Sequence, residues 1–188
     1  LAGTTRNFDF AATAGGAYQP AFVGDRYANL GNVINVVANE IGRKTRRGAG
    51  NYIVVSPAMV SALQEASRSA FAPAVQGSFK GPNNTELVGT LNGRIKVYSY
   101  LWNQTQFGTT DTILVGYKGG NKETDAGYFY CPYIPLMSSG VVMNPVTFQP
   151  VVSLMTRYGK AAFTDTNTSL GNSADYYGKI NVQNMDIV

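Results

Sequence analysis

Few residues in this chain are equipped for chemistry. Asp111, Glu123 and Asp125 are the only carboxylates bunched near strand-forming sequence, and a suitably spaced pair of carboxylates can share acid and base work. Their neighbours are Thr, Asn and Gly, which imply none of the apolar surroundings that lift a carboxyl pKa. Histidine is absent from the 188 residues and cysteine occurs once. Ser-His-Asp and Cys-His nucleophile systems therefore cannot be assembled within the chain, and zinc sites of Cys and His fall with them. Cys131 has no partner for an internal disulfide, and its flanks Tyr130 and Pro132 read as a strand on which it is a small buried filler. The inventory points to no enzyme, no metal and no cofactor.

The cations are more suggestive. Arg43, Lys44, Arg46 and Arg47 put four positive charges in five residues (RKTRR). One reading is contact with DNA phosphates or with carboxylates of an adjacent subunit; the other is a solvated helix end favoured by the helix dipole. GYKGGNKET (116–124) carries Lys118 and Lys122 among glycines, but it lacks the G-x-x-x-x-G-K-[ST] spacing that brings loop amides and a lysine onto a nucleotide's phosphates. It reads as a turn between strands whose lysines can pair with acidic groups across an interface. Arg94, Lys96 and Arg157 suit inter-subunit ion pairs at a shared sheet edge. Tyr128, Phe129, Tyr130 and Tyr133 could stack bases, but their alternation fits a strand buried on both faces better.

These residues need elements to hold them. Between 26 and 47 the apolar positions Tyr27, Leu30, Val33, Ile34, Val37 and Ile41 recur at spacings of three and four, one face of a long helix. Asp25 is the expected N-cap and Gly48 the stop. NYIVV (51–55) is a short buried strand, and Ser56-Pro57 opens a helix with Met59, Val60, Leu63 and Ala66 on one face. ELVGTL, Asn92-Gly93 and RIKVYSY form a hairpin. Further strands are expected at 112–117, from 128, at 148–158 and at 178–182. Residues 1–25 read either as an extended arm whose Phe8, Phe10, Tyr18 and Phe22 dock on something such as another subunit, or as a loose terminus. Strand and helix in succession give an α+β chain.

Four patterns in order carry a resemblance: VGYKG (115–119), DAGYFYCPY (125–133), FQPV (148–151) and TRYG (156–159), preceded by EIGRKTRRGAGNYIVVS (40–56). Together they resemble the major capsid proteins of T-even-type tailed phages, over roughly residues 30–160. The resemblance implies the tailed-phage major capsid fold. Its peripheral lobe would hold a long spine helix (26–50) and long strands, its axial lobe a mixed sheet flanked by helices (51–150), and 151–188 would return to the peripheral lobe. It also implies a structural subunit of an icosahedral head, a homo-oligomer of hexamers and pentamers around double-stranded DNA. Scaffold, portal and decoration proteins would be its partners, the virion its location and the host cytoplasm its place of assembly. Family members carry an N-terminal arm and extended loop not found upstream of residue 26, and the Leu1 start is compatible with proteolytic trimming. A pentamer-only vertex subunit would carry the same motifs, and a basic nucleic-acid-binding β module is the alternative from another class.

Composition agrees with a covered surface. Charged residues make up only 14% of the chain, with net charge +4, against about a quarter in average soluble domains. Apolar residues at 44% suffice for a core, and no run approaches the ~18 apolar residues of a membrane span.

Overall fold

The computed structural model describes residues 3–10, 23–65, 71–73, 85–101, 110–120, 124–164 and 171–184. They divide into two compact units, one of Leu1–Gly127 with Thr164–Val188 and one of Tyr128–Phe163. The architecture is mixed α+β, as expected.

The larger unit is a seven-stranded sheet. Its strands are β1 (Thr4–Asp9), β2 (Tyr52–Val55), β3 (Phe71–Pro73), β4 (Glu86–Leu91), β5 (Ile95–Ser99), β6 (Thr110–Gly116) and, from the far end of the chain, β9 (Tyr177–Gln183). The spatial order is β1-β9-β6-β2-β5-β4-β3. β1 with β9 and β2 with β5 run parallel; the other neighbours are antiparallel. The Asn-Gly turn forms as expected. Asn92 and Gly93 both take positive φ (52° and 64°), and the Arg94 N–H closes the turn on the Leu91 carbonyl.

Two helices cover one face of this sheet, α1 (Val23–Thr45) and α2 (Pro57–Glu65). Leu30, Ile34, Val37 and Ile41 of α1 are fully buried, at the spacing that marks one helix face. They join Ile53 and Val55, Met59 and Leu63, Ile95 and Val97, Ile113 and Val115, and Ile180 and Val182 in a single core. In each strand pair the residues alternate inward and outward, so the opposite positions Tyr52, Lys96, Tyr98, Leu114 and Lys179 stay half-buried or exposed.

Several expectations give way here. Residues 4–9 are a strand of the sheet rather than part of a free arm. Phe8 and Phe10 are buried in the chain's own core and meet edge to face at 4.9 Å; Tyr18 and Phe22 lie outside the described residues. α1 begins at Val23, so Asp25 sits inside its first turn instead of capping it. It ends at a left-handed Arg46 (φ 56°), whose N–H reaches the Gly42 carbonyl at 2.9 Å, before Gly48 is reached. α1 and the long strand after residue 150, expected together in one lobe, fall in different units. The second helix does follow the sequence. The Ser56 hydroxyl accepts the Met59 N–H at 3.3 Å, a cap at the expected residue.

Ile34 lies at 0% exposure where α1 meets the sheet. Ile34→Ala is expected to lower the unfolding free energy by about 2–5 kcal/mol, read from a urea titration.

Candidate assembly interface

The smaller unit is a two-stranded antiparallel hairpin, β7 (Tyr128–Met143) and β8 (Pro150–Ala162). Its turn is held locally. The Phe148 N–H reaches the Asn144 carbonyl at 2.8 Å, the Val146 N–H reaches Asn144 Oδ1 at 3.0 Å, and Phe148 takes positive φ. The ladder slips between Pro132 and Ile134, between Ile134 and Met137 and between Ser138 and Val141. Pro132 and Pro135 have no N–H to give to it. Side chains bridge the irregular stretches: the Ser153 N–H donates to Ser139 Oγ at 3.0 Å, and Thr156 Oγ1 donates to the Ile134 carbonyl at 3.1 Å.

No residue of this hairpin is buried. Among the described residues, every exposed large hydrophobic side chain except Val36, Leu101 and Leu114 belongs to it. Tyr133 is 78% exposed, Leu154 67% and Val152 53%. The aromatic set expected in a core is instead on this surface: Tyr128 and Tyr130 are exposed, and Phe129 is half-buried edge to face against Phe163 at 5.4 Å. Tyr130 meets Tyr158 at 5.3 Å. Cys131, expected as a buried filler, is exposed as well. The alternation was read correctly as a strand, but a unit of two strands has no interior of its own. Two strands alone are marginal in water, and apolar patches beyond a few hundred Å² mark interaction surfaces.

The basic residues are not one site. Lys44 is occupied internally: its Nζ donates to the Gly3 carbonyl at 2.8 Å and to Thr4 Oγ1 at 3.0 Å, and Asp175 lies 3.9 Å away. Arg47 pairs with Asp125 at 3.4 Å, and the Tyr117 hydroxyl donates to the same carboxylate at 3.0 Å. Burial and then Asp125 push the Tyr117 phenol above its usual range. Arg43 and Arg46 are exposed, with no partner among the described residues. Lys118 is exposed too. Its backbone is clamped by Asn51, whose side chain donates to the Lys118 carbonyl at 2.6 Å and accepts its N–H at 3.1 Å. The Gly119 N–H is spent on the Asp125 carbonyl. The Lys118 and Gly119 N–H groups are thus both bonded within the chain. Lys122 lies outside the described residues. Arg157 is exposed on β8, in the hairpin unit.

Description of the family "Major capsid protein Gp23" matches residues 1–182. The chain belongs to that family. It is 40% identical over 185 residues to the major capsid protein of Vibrio phage KVP40, covering 92% of this chain and 34% of that one. Over 145 residues it is 37% identical to the major capsid protein of Enterobacteria phage T6 and 36% to that of Enterobacteria phage T4, in each case covering 73% of this chain. Those alignments span 27% and 26% of the relatives. The chain thus spans about a third of the length of the capsid relatives it matches. The resemblance read from the four patterns is the family found, and it is a family of structural proteins, not enzymes.

The carboxylates add one feature that the sequence did not announce. Asp111 is 2% exposed, where an open surrounding was expected. Ser56, just past the end of the neighbouring strand β2, donates its hydroxyl to Asp111, and the Thr112 N–H reaches Asp111 Oδ1 at 2.6 Å. Burial raises the Asp111 pKa above its ordinary 3.8, and these two hydrogen bonds pull against it without winning. Asp125 has other partners, and Glu123 lies outside the described residues. Among the described residues no three acidic or thiol groups are placed to hold a metal, and no described helix is long and apolar enough to cross a membrane.

A carboxyl whose folded pKa is raised favours the folded state while protonated, and that favour is lost as pH climbs from 3.8 through the raised value. The unfolding free energy of the native protein is therefore expected to fall relative to that of Asp111→Asn across this window. Above it the difference should be flat, as read from denaturant titrations at a series of pH values.

Proposed function

We propose that this protein is a structural subunit of an icosahedral phage head, assembling with copies of itself into hexamers and pentamers that enclose double-stranded DNA. The observation that carries the reading is the β7–β8 hairpin. A family of capsid proteins, and a long hairpin with apolar side chains on both faces, together describe a surface meant to be covered by neighbours. Ring closure requires heterologous contacts, one patch against a different one under rotation. Interfaces of this permanence are rich in apolar area.

The fold is then the tailed-phage major capsid fold, and its two lobes are the two compact units. The sheet with α1 and α2 forms the axial lobe, and the hairpin the peripheral one. This assignment rests on packing: α1 buries its apolar face against β1, β9 and β6, so it belongs with the sheet instead of forming a peripheral spine. Location in the virion, with assembly in the host cytoplasm, goes with this function. So do a scaffold, a portal and decoration proteins as partners. Packaged DNA would be held non-specifically, with Arg43 and Arg46 as the free cations of the RKTRR run.

Electron microscopy of the native full-length protein tests the proposal, with closed shells bearing six- and five-fold clusters as the expected result. Val152→Asp and Leu154→Asp should abolish shells while leaving the urea midpoint of the sheet unit unchanged, because neither residue belongs to its core. Monomers from the unsubstituted protein assembled with its scaffold, binding DNA with a steep salt dependence, would instead favour the nucleic-acid-binding module.

A further inference from the structure

The sheet face that α1 and α2 leave open holds a second feature, remote in composition from the apolar hairpin. A groove of about 550 Å³ is lined by Asn51, Tyr52, Arg94, Lys96, Tyr98 and Lys118, with Val54, Thr85, Gly119 and Gly120 completing its walls. Tyr52 on β2 stands beside Lys96 on β5, and Val54 beside Tyr98. Three cations thus surround two phenols. No carboxylate lines the groove among the described residues, and Arg94, Lys96 and Lys118 have no side-chain partner there.

We propose that this groove binds an extended acidic segment of a separate protein, its carboxylates on Arg94, Lys96 and Lys118 and its backbone along the two tyrosines. The pitch supports a peptide. Lys96 and Tyr98 are alternate residues of β5, with Arg94 in the turn just before it, and alternate side chains of a strand stand about 6.7 Å apart, the same repeat that an extended ligand presents on one side. The Tyr52 phenol is pushed up to about 12, by burial first and then by Tyr177 and Tyr98. It therefore stays protonated near neutral pH and has a hydroxyl proton to donate.

Within residues 1–188, the described side chains of a second copy offer little of the complementary charge. Glu40, Asp125 and Asp175 are in ion pairs, Asp111 is buried against Ser56, and Asp9 accepts from Asn184, which leaves Glu86 among the placed carboxylates. The sequence has one pair of acids at alternate positions, Glu123 and Asp125, and Asp125 is held by Arg47 and Tyr117. The groove is also a depression on the scale of a small ligand, which seats a single extended chain more readily than a duplex.

Fluorescence anisotropy decides this, with a labelled peptide of alternating Glu and Thr as the probe and oligothymidylate of matched charge as its competitor. The peptide should bind the native protein, weaken as salt is raised and outcompete the oligonucleotide. Arg94→Gln, Lys96→Gln and Lys118→Gln should each weaken binding about two- to fivefold, as befits one exposed ion pair, and the triple variant by more than about tenfold. Lys160→Gln, an exposed cation on the hairpin, should leave it unchanged. All of these positions are exposed, so an unchanged denaturation midpoint checks that the variants fold. Absence of peptide binding at low salt, or binding indifferent to the triple substitution, overturns the proposal. Tighter binding of oligothymidylate through the same three cations also overturns it and makes the groove a nucleic-acid site. The result is independent of whether shells form.

Discussion

The larger unit depends on α1 lying across β1, β9 and β6. β1 and β9 come from opposite ends of the sequence and are parallel neighbours at one edge of the sheet. No local turn can hold such a pair, since parallel strands need a long crossover. What holds them is burial of Leu30, Ile34, Val37 and Ile41 against Phe8, Ile113 and Ile180, with Lys44 reaching over to the Gly3 carbonyl, Thr4 and Asp175. Gly178 shows how close the approach is: a Cβ there would collide with Val37. The Val37 side chain fills the space beside residue 178, and a side chain at that point would push helix and strand apart.

The same packing explains why the sheet unit is one-sided. Both helices go to one face, so the other face keeps its outward residues in solvent, and those are polar, aromatic and basic. The hairpin carries the reverse character, apolar and nearly devoid of charge, Arg157 and Lys160 being its two cations. A chain with 14% charged residues has segregated its surface into two kinds. One suits a hydrophobic neighbour and the other an anionic partner, and their energetics differ accordingly. Apolar burial scales with area, whereas exposed ion pairs contribute little individually and act through number and salt sensitivity.

Much of this was legible in the residues. The spacing of Leu30, Ile34, Val37 and Ile41 announced a helix face, Ser56-Pro57 announced a capped helix, and Asn92-Gly93 announced a hairpin, because each rests on local geometry that the residues themselves impose. The four patterns from VGYKG to TRYG were enough to point to the family. The absence of histidine closed off its chemistry before any coordinate was needed.

What only the tertiary structure decided is where each side chain ended up. Tyr128, Tyr130 and Cys131 look like core because alternating apolar residues usually are, yet they are exposed, since the unit they belong to is a two-stranded hairpin with no buried residue. Asp111 looks solvated by its neighbours in sequence but is buried by Ser56, which is 55 residues away. Phe8 and Phe10 look like the anchors of a loose arm, yet they pack inside because β9, from the other end of the chain, pairs with their strand. The run RKTRR reads as one patch, but Lys44 and Arg47 are drawn into the fold while Arg43 and Arg46 stay free. Local conformation follows from short-range sterics and hydrogen bonding, which the sequence determines alone; burial and pairing are set by contacts far apart along the chain, and these exist only once it has folded.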